Sequence, residues 1–142
     1  METEQPISLD DPKAHYKPLV LVVDDDETHL QLLKLLADRL GIAAHTVSSC
    51  AQAMEALQML AFDVILMDYR MPEVDGCMCT QRIRAMKELR GDIPIIAVTA
   101  HVTEESREKC RQYGMDDFLG KPFTFEELHE KLSFWLQKKE IV

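Results

Sequence analysis

The 142-residue chain has little aromatic content, a single tryptophan, five glycines and no long apolar run. No stretch approaches the roughly 20 residues that a membrane-spanning helix needs. The opening METEQPISLDDPKAHYKP also lacks the apolar centre of a signal peptide. A membrane partner is therefore not expected, and a cytoplasmic location is. Basic residues are scarce as well: 16 Lys and Arg against 25 Asp and Glu leave a formal charge of −9. A nucleic-acid surface needs a basic patch, so no nucleic-acid partner is expected. The four cysteines, Cys50, Cys77, Cys79 and Cys110, fit neither a zinc pattern nor Cys-x-x-Cys. Cys77 and Cys79 stand two apart on an expected helix and so face different directions. We read all four as free, buried or half-buried thiols in a reducing compartment.

What is present suits one globular domain. A hydrophobic share of 46% beside 29% charged residues is enough to build a core at this length. Residues 1–17 are polar, contain Pro6 and Pro12 and show no periodicity, which predicts a flexible N-terminal tail or linker. Residues 18–138 alternate strand and helix five times, and 139–142 form a short C-terminal tail. Leu30, Leu33, Leu36 and Leu40 recur at helical spacing behind the first strand. The segment HTVS predicts a short second strand, followed by a helix carrying Met54, Leu57 and Leu60. Cys79, Ile83, Met86 and Leu89 make the inner stripe of the third helix, closed by Gly91 and followed by Pro94. The fourth helix has only Val102, Cys110 and Tyr113 as apolar anchors, so it is expected to shift at low cost. The last opens on a capping-box sequence, Thr124 to Glu127, and buries Leu128, Leu132, Trp135 and Leu136. Alternating strands and helices with right-handed crossovers predict a doubly wound α/β sandwich with a parallel sheet.

Four apolar segments, VLVVDDD, VILMDYRMP, IPIIAVTAH and DDFLGKPF, end in residues suited to phosphoryl chemistry. They deliver Asp24 and Asp25, then Asp68, then Thr99, then Lys121 and Pro122. In a parallel sheet their carboxyl ends share one edge, where ligands bind. Singly, each carboxylate reads as well as a turn or N-cap residue. Together they crowd three anions into one crevice, which costs several kcal/mol by Coulomb repulsion, of the order of ~3 per close pair, unless a cation neutralises them. All-oxygen donors suit Mg²⁺. A carboxylate nucleophile, a divalent metal, a hydroxyl donor and an ammonium clamp make a complete set for aspartyl-phosphate formation.

At these residues the chain resembles the receiver domain of two-component response regulators, from about Leu19 to Leu136. The resemblance rests on the acidic pair, on MDYRMPEVDG, on Thr99 with Ala100 and on Lys121 with Pro122. The segments MDYRMPEVDG and MDDFLGKPF look most like receivers of hybrid histidine kinases. The resemblance implies a flavodoxin-like (βα)5 fold with a five-stranded sheet in the order 2-1-3-4-5. It implies Asp68 as phosphoacceptor, Asp25 as direct Mg²⁺ ligand, Asp24 acting through a metal-bound water, and the backbone carbonyl of Arg70 as a further ligand. Thr99 and Lys121 would hold the phosphoryl oxygens, and the Lys121–Pro122 peptide would be cis. Phe118 takes the place of a switch aromatic that is often Tyr, so one hydrogen bond of the inward state is missing. Arg70, His101 and Ala100 stand at positions that tune the phosphoryl lifetime.

The expected partners are a sensor histidine kinase, a histidine phosphotransfer protein, or both, with a downstream protein target. The domain would catalyse only its own phosphorylation and dephosphorylation. With no output domain expected after Val142, output would pass through protein contacts or a longer polypeptide. Two other readings compete. A degenerate receiver used for docking would have lost Asp68, Asp25 or Lys121, and none is lost. A metal-dependent phosphohydrolase of the haloacid dehalogenase type needs a second aspartate two residues after the nucleophile, and Arg70 stands there.

Overall fold

Each short β-branched run forms a strand, and each amphipathic stretch after it returns as a helix. The computed structural model describes residues 17–86, 92–100 and 103–141. In order they are β1 (Leu19–Val23), α1 (Glu27–Arg39), β2 (Ala43–Val47), α2 (Cys50–Met59) and β3 (Val64–Asp68), followed by α3 (Gly76–Arg84), β4 (Ile95–Thr99), α4 (Glu104–Tyr113), β5 (Asp117–Gly120) and α5 (Phe125–Ile141). All strand pairs are parallel and the order is β2-β1-β3-β4-β5, as the resemblance implied. No helix among the described residues is long and apolar enough to cross a membrane.

Because side chains alternate along a strand, the sheet feeds two cores. Val20, Val22, Leu66 and Val98 face α1 and α5, where Leu30, Leu33, Leu128 and Leu132 cover them. Leu21, Val23, Ile65, Met67 and Ala97 face the opposite layer, with Ala53 and Leu57 of α2, Ile83 of α3 and Cys110 of α4. Both faces of β3 and β4 are covered, so these strands read as continuous apolar runs rather than alternating ones.

Several local expectations change. β2 begins two residues before HTVS. The inner face of α2 is Cys50, Ala53, Ala56 and Leu57; Leu60 is its C-cap and 41% exposed, while Met54 is partly buried. α3 stops at Arg84, so Met86 packs from beyond the helix end; Leu89 and Gly91 lie outside the described residues, as do Val102, His101 and positions 1–16. α5 runs to Ile141, into the stretch expected as a tail. Cys50 and Cys79 form a disulfide between α2 and α3, against the reading of four free thiols. Their 29-residue separation gave no hint that adjacent helices of one layer would bring them together. Cys77 and Cys110 are free and buried. Burial, then Cys110 and Asp75, pushes the Cys77 thiol up to about 12, so it stays protonated.

Candidate functional site

The parallel sheet gathers the chain's strand ends on one edge. Asp24 follows β1, Asp68 ends β3, Thr99 ends β4 and Lys121 follows β5. None of the three clustered carboxylates is spent on a helix cap. Asp26 caps α1, accepting the Thr28 N–H at 2.9 Å and the His29 N–H at 3.3 Å. Asp75 caps α3, accepting the Met78 N–H at 2.9 Å. The caps of α1 and α3 thus fall to Asp26 and Asp75, which leaves Asp24, Asp25 and Asp68 uncommitted to a helix terminus.

Asp24 is buried, and its Oδ1 accepts the Asp26 N–H at 2.9 Å. Asp25 is exposed. One oxygen from each of Asp24, Asp25 and Asp68 lies within 4.8 Å of the others. Lys121 Nζ stands 3.3 Å from Asp24 Oδ2 and 3.6 Å from Asp68 Oδ1. The Arg70 N–H donates to Asp68 Oδ1 at 3.3 Å. The Lys121 N–H donates to the Thr99 carbonyl at 2.8 Å, and the Lys121–Pro122 peptide is cis. Thr99 is buried at the same edge, and Ala100 is exposed beside it.

Burial, reinforced by the Asp24 carboxylate, pushes the Asp68 carboxyl up to about 6, although Lys121 and the Arg70 N–H pull the other way. One ammonium therefore does not balance the cluster. Two unit charges ~4.8 Å apart repel by about 3 kcal/mol at an effective dielectric of about 20. A divalent cation with hard oxygen ligands fits this donor set, and Mg²⁺ keeps waters that complete its shell.

The loop after β3 is shaped for the same place. Glu73 has φ of 68°, and the Val74 N–H closes a three-residue turn on the Pro72 carbonyl at 2.7 Å. A β-carbon at Gly76 would collide with the Asp68 carbonyl oxygen, so glycine lets α3 start directly against the end of β3. On the α4 side, Phe118 is 8% exposed and packs in the core. The Arg107 and Arg111 guanidiniums lie over its ring at 5.4 and 5.3 Å from the centroid. The sequence reading missed these arginines, although their i, i+4 spacing placed them on one face of α4. It also missed His29, for which no spacing or motif gave a signal.

A family model described as the response regulator receiver domain matches residues 20–133. The chain belongs to this family. The receiver is 36% identical over 126 residues to the sensor protein GacS of Pseudomonas syringae pv. syringae, covering 87% of this chain and 14% of that protein. It is 36% identical over 123 residues to the sensor histidine kinase RcsC of Salmonella typhi, covering 84% and 12%. The receiver thus spans about an eighth of the length of these relatives, in keeping with a resemblance to receivers of hybrid histidine kinases. Among solved structures it is similar to the receiver domain of the sensor histidine kinase PA1611 from Pseudomonas aeruginosa PAO1, at 35% identity and a TM-score of 0.79 over 86% of this chain and 99% of that one. That structure has a magnesium ion coordinated in its active site cleft. The chemotaxis protein CheY4 of Vibrio cholerae is also similar, at 27% identity and a TM-score of 0.81 over 85% of this chain and 100% of that one.

Proposed function

We propose that this receiver accepts a phosphoryl group on Asp68 from a phosphohistidine of a sensor histidine kinase or a histidine phosphotransfer protein. The observation that carries the reading is Asp68 itself: a buried strand-end carboxylate, beside the acidic pair and 3.6 Å from the Lys121 ammonium. Asp25, Asp68 and the Arg70 carbonyl would hold Mg²⁺ directly, and Asp24 would act through a water. When bound, Mg²⁺ neutralises the carboxylates and the charge that develops on the transferring group.

An Asp68 oxygen attacks phosphorus in line, the bond from phosphorus to the donor nitrogen breaks, and its electron pair leaves with the donor imidazole. Lys121 and Thr99 hold the phosphoryl oxygens as charge shifts onto them. The donor must bring its imidazole over this edge. Beside Lys121 lies a cavity of about 400 Å³ whose lining includes Leu32, Leu33, Pro122 and Phe123. Leu32 and Leu35 on α1 stand 48% and 60% exposed, an apolar rim that suits a protein donor. After transfer, Thr99 moves toward the new oxygens, Phe118 follows, and the face formed by α4, β5 and α5 changes for a downstream protein target.

Arg70 is exposed next to Asp68 and, with His101 and Ala100, would govern water access and so the lifetime. A variant carrying Arg70→Asn and His101→Glu should lose its phosphoryl group faster; about tenfold corresponds to ~1.4 kcal/mol of barrier. Decay followed at fixed Mg²⁺ checks this, and equal rates would make those side chains bystanders. The acceptor is tested by mass spectrometry after incubation with Mg²⁺ and acetyl phosphate. One phosphoryl group, labile to hydroxylamine, should appear on the wild type and not on Asp68→Asn, whose amide is no nucleophile. Unchanged labelling of that variant sinks the assignment. A phosphohydrolase is the weaker reading because its acid/base position carries Arg70.

A further inference from the structure

His29 lies in the first turn of α1, outside every motif of the site, yet its ring reaches Lys121. Lys121 Nζ and His29 Nδ1 are 3.1 Å apart, and each lies 3.3 Å from Asp24 Oδ2. An ammonium offers donors only, so a hydrogen bond between the two needs Nδ1 to accept, with the ring proton on Nε2. In that tautomer Nδ1 faces the ammonium, and Nε2 lies 3.8 Å from Asp26 Oδ2. Asp26 also accepts the backbone N–H of His29, so the ring hangs from the capped start of α1.

We infer that His29 is a positioning residue for Lys121, a neutral acceptor that fixes the ammonium over the crevice. Lysine is a point charge on a flexible four-carbon stem, and two of its partners here are carboxylates. Those carboxylates change partners whenever a cation or a phosphoryl group enters, whereas an imidazole is no ligand of a hard cation's oxygen shell and stays anchored on α1. Lys121 then keeps one fixed contact while it meets the phosphoryl oxygens. The functional consequence rests on the phosphoacceptor reading; the contact does not.

Two substitutions separate the role from simple structure. His29→Leu removes the acceptor, whereas His29→Asn puts an amide oxygen where Nδ1 stands. Two readouts are taken: the rate constant of phosphorylation by acetyl phosphate at saturating Mg²⁺, and the ¹⁵Nζ resonance of Lys121 in the metal-free protein. His29→Leu should slow phosphorylation about tenfold, or ~1.4 kcal/mol of barrier, and should move the Nζ signal, with the melting temperature unchanged. His29→Asn should stay near the wild type in both. A leucine variant that reacts at the wild-type rate, or an asparagine variant as slow as leucine, overturns the inference. Wild-type protein that takes no phosphoryl group on Asp68 would count against the proposed function. An Nζ signal unmoved by His29→Leu would count against this one on its own.

Discussion

Thr80 sits on the inner face of α3 with its side chain fully buried and its hydroxyl, among the described residues, without a hydrogen-bond partner. A buried unsatisfied hydroxyl costs about 1–3 kcal/mol, whereas an apolar group of the same shape does not. Thr80→Val should therefore stabilise the fold by about 1 kcal/mol and raise the melting midpoint by about 3 °C. A lower midpoint in a thermal melt would mean that the hydroxyl is satisfied after all. The aspartates show the opposite economy, each with a separate task. Asp26 and Asp75 serve helix termini and Asp116 accepts the Ile95 N–H, while Asp24, Asp25 and Asp68 share one crevice. Asp117 is held below the usual carboxylate range: its burial acts upward, but hydrogen bonds from Lys131, Trp135 and the Phe118 N–H outweigh it.

At the scale of elements, α4 is the weakly held piece. Its start is fixed by a reciprocal capping box between Thr103 and Ser106, yet Cys110 is its one fully buried helix residue among those described. Its far end is tied down from outside. Arg84 donates to the Gly114 carbonyl from Nε at 2.9 Å and from Nη2 at 2.7 Å, and from Nη2 to Asp116 at 2.8 Å. Between these ends, Arg107 and Arg111 cover the ring of Phe118. Cation–π contacts at such exposure contribute about 0.5–1 kcal/mol each. They supply a hold on the inward ring that does not need the hydroxyl of a tyrosine. Replacing both arginines by alanine should speed amide hydrogen exchange across residues 104–118 severalfold, since ~1 kcal/mol is a factor of about 5 in an opening equilibrium. Unchanged exchange would show that core packing alone keeps Phe118 in place.

For the molecule as a whole, the crevice links stability to pH. The Asp68 carboxyl, raised from its usual 3.8 to about 6, binds a proton in the folded chain where the unfolded chain has already lost it. Its contribution to stability is thus fully present below pH 3.8 and is lost as pH rises through about 6. The loss amounts to about 2–3 kcal/mol in metal-free protein. A cation competes with that proton for Asp68, so Mg²⁺ should raise the melting temperature more at pH 7.5 than at pH 5. Calorimetry at both pH values checks this, and Asp68→Asn should remove most of the difference. An Mg²⁺ effect that is equal at both pH values would place the metal away from Asp68.

The sequence by itself determined the class of fold, because five β-branched runs separated by helical stretches have few ways to bury two faces of a sheet. It also determined that Asp24, Asp68, Thr99 and Lys121 meet at one edge, because they stand at the ends of those runs and parallel strands bring their ends together. Lateral neighbours were decided only by tertiary structure, since they depend on which helices share a layer and how far each turns about its axis. That is why the Cys50–Cys79 pair and the imidazole beside Lys121 left no mark in spacing, and why the shared face of Arg107 and Arg111 did not point to Phe118. Helix ends escaped for a related reason: α2 stops at Met59, so Leu60 is its C-cap and stands outside the face that Cys50, Ala53, Ala56 and Leu57 turn inward.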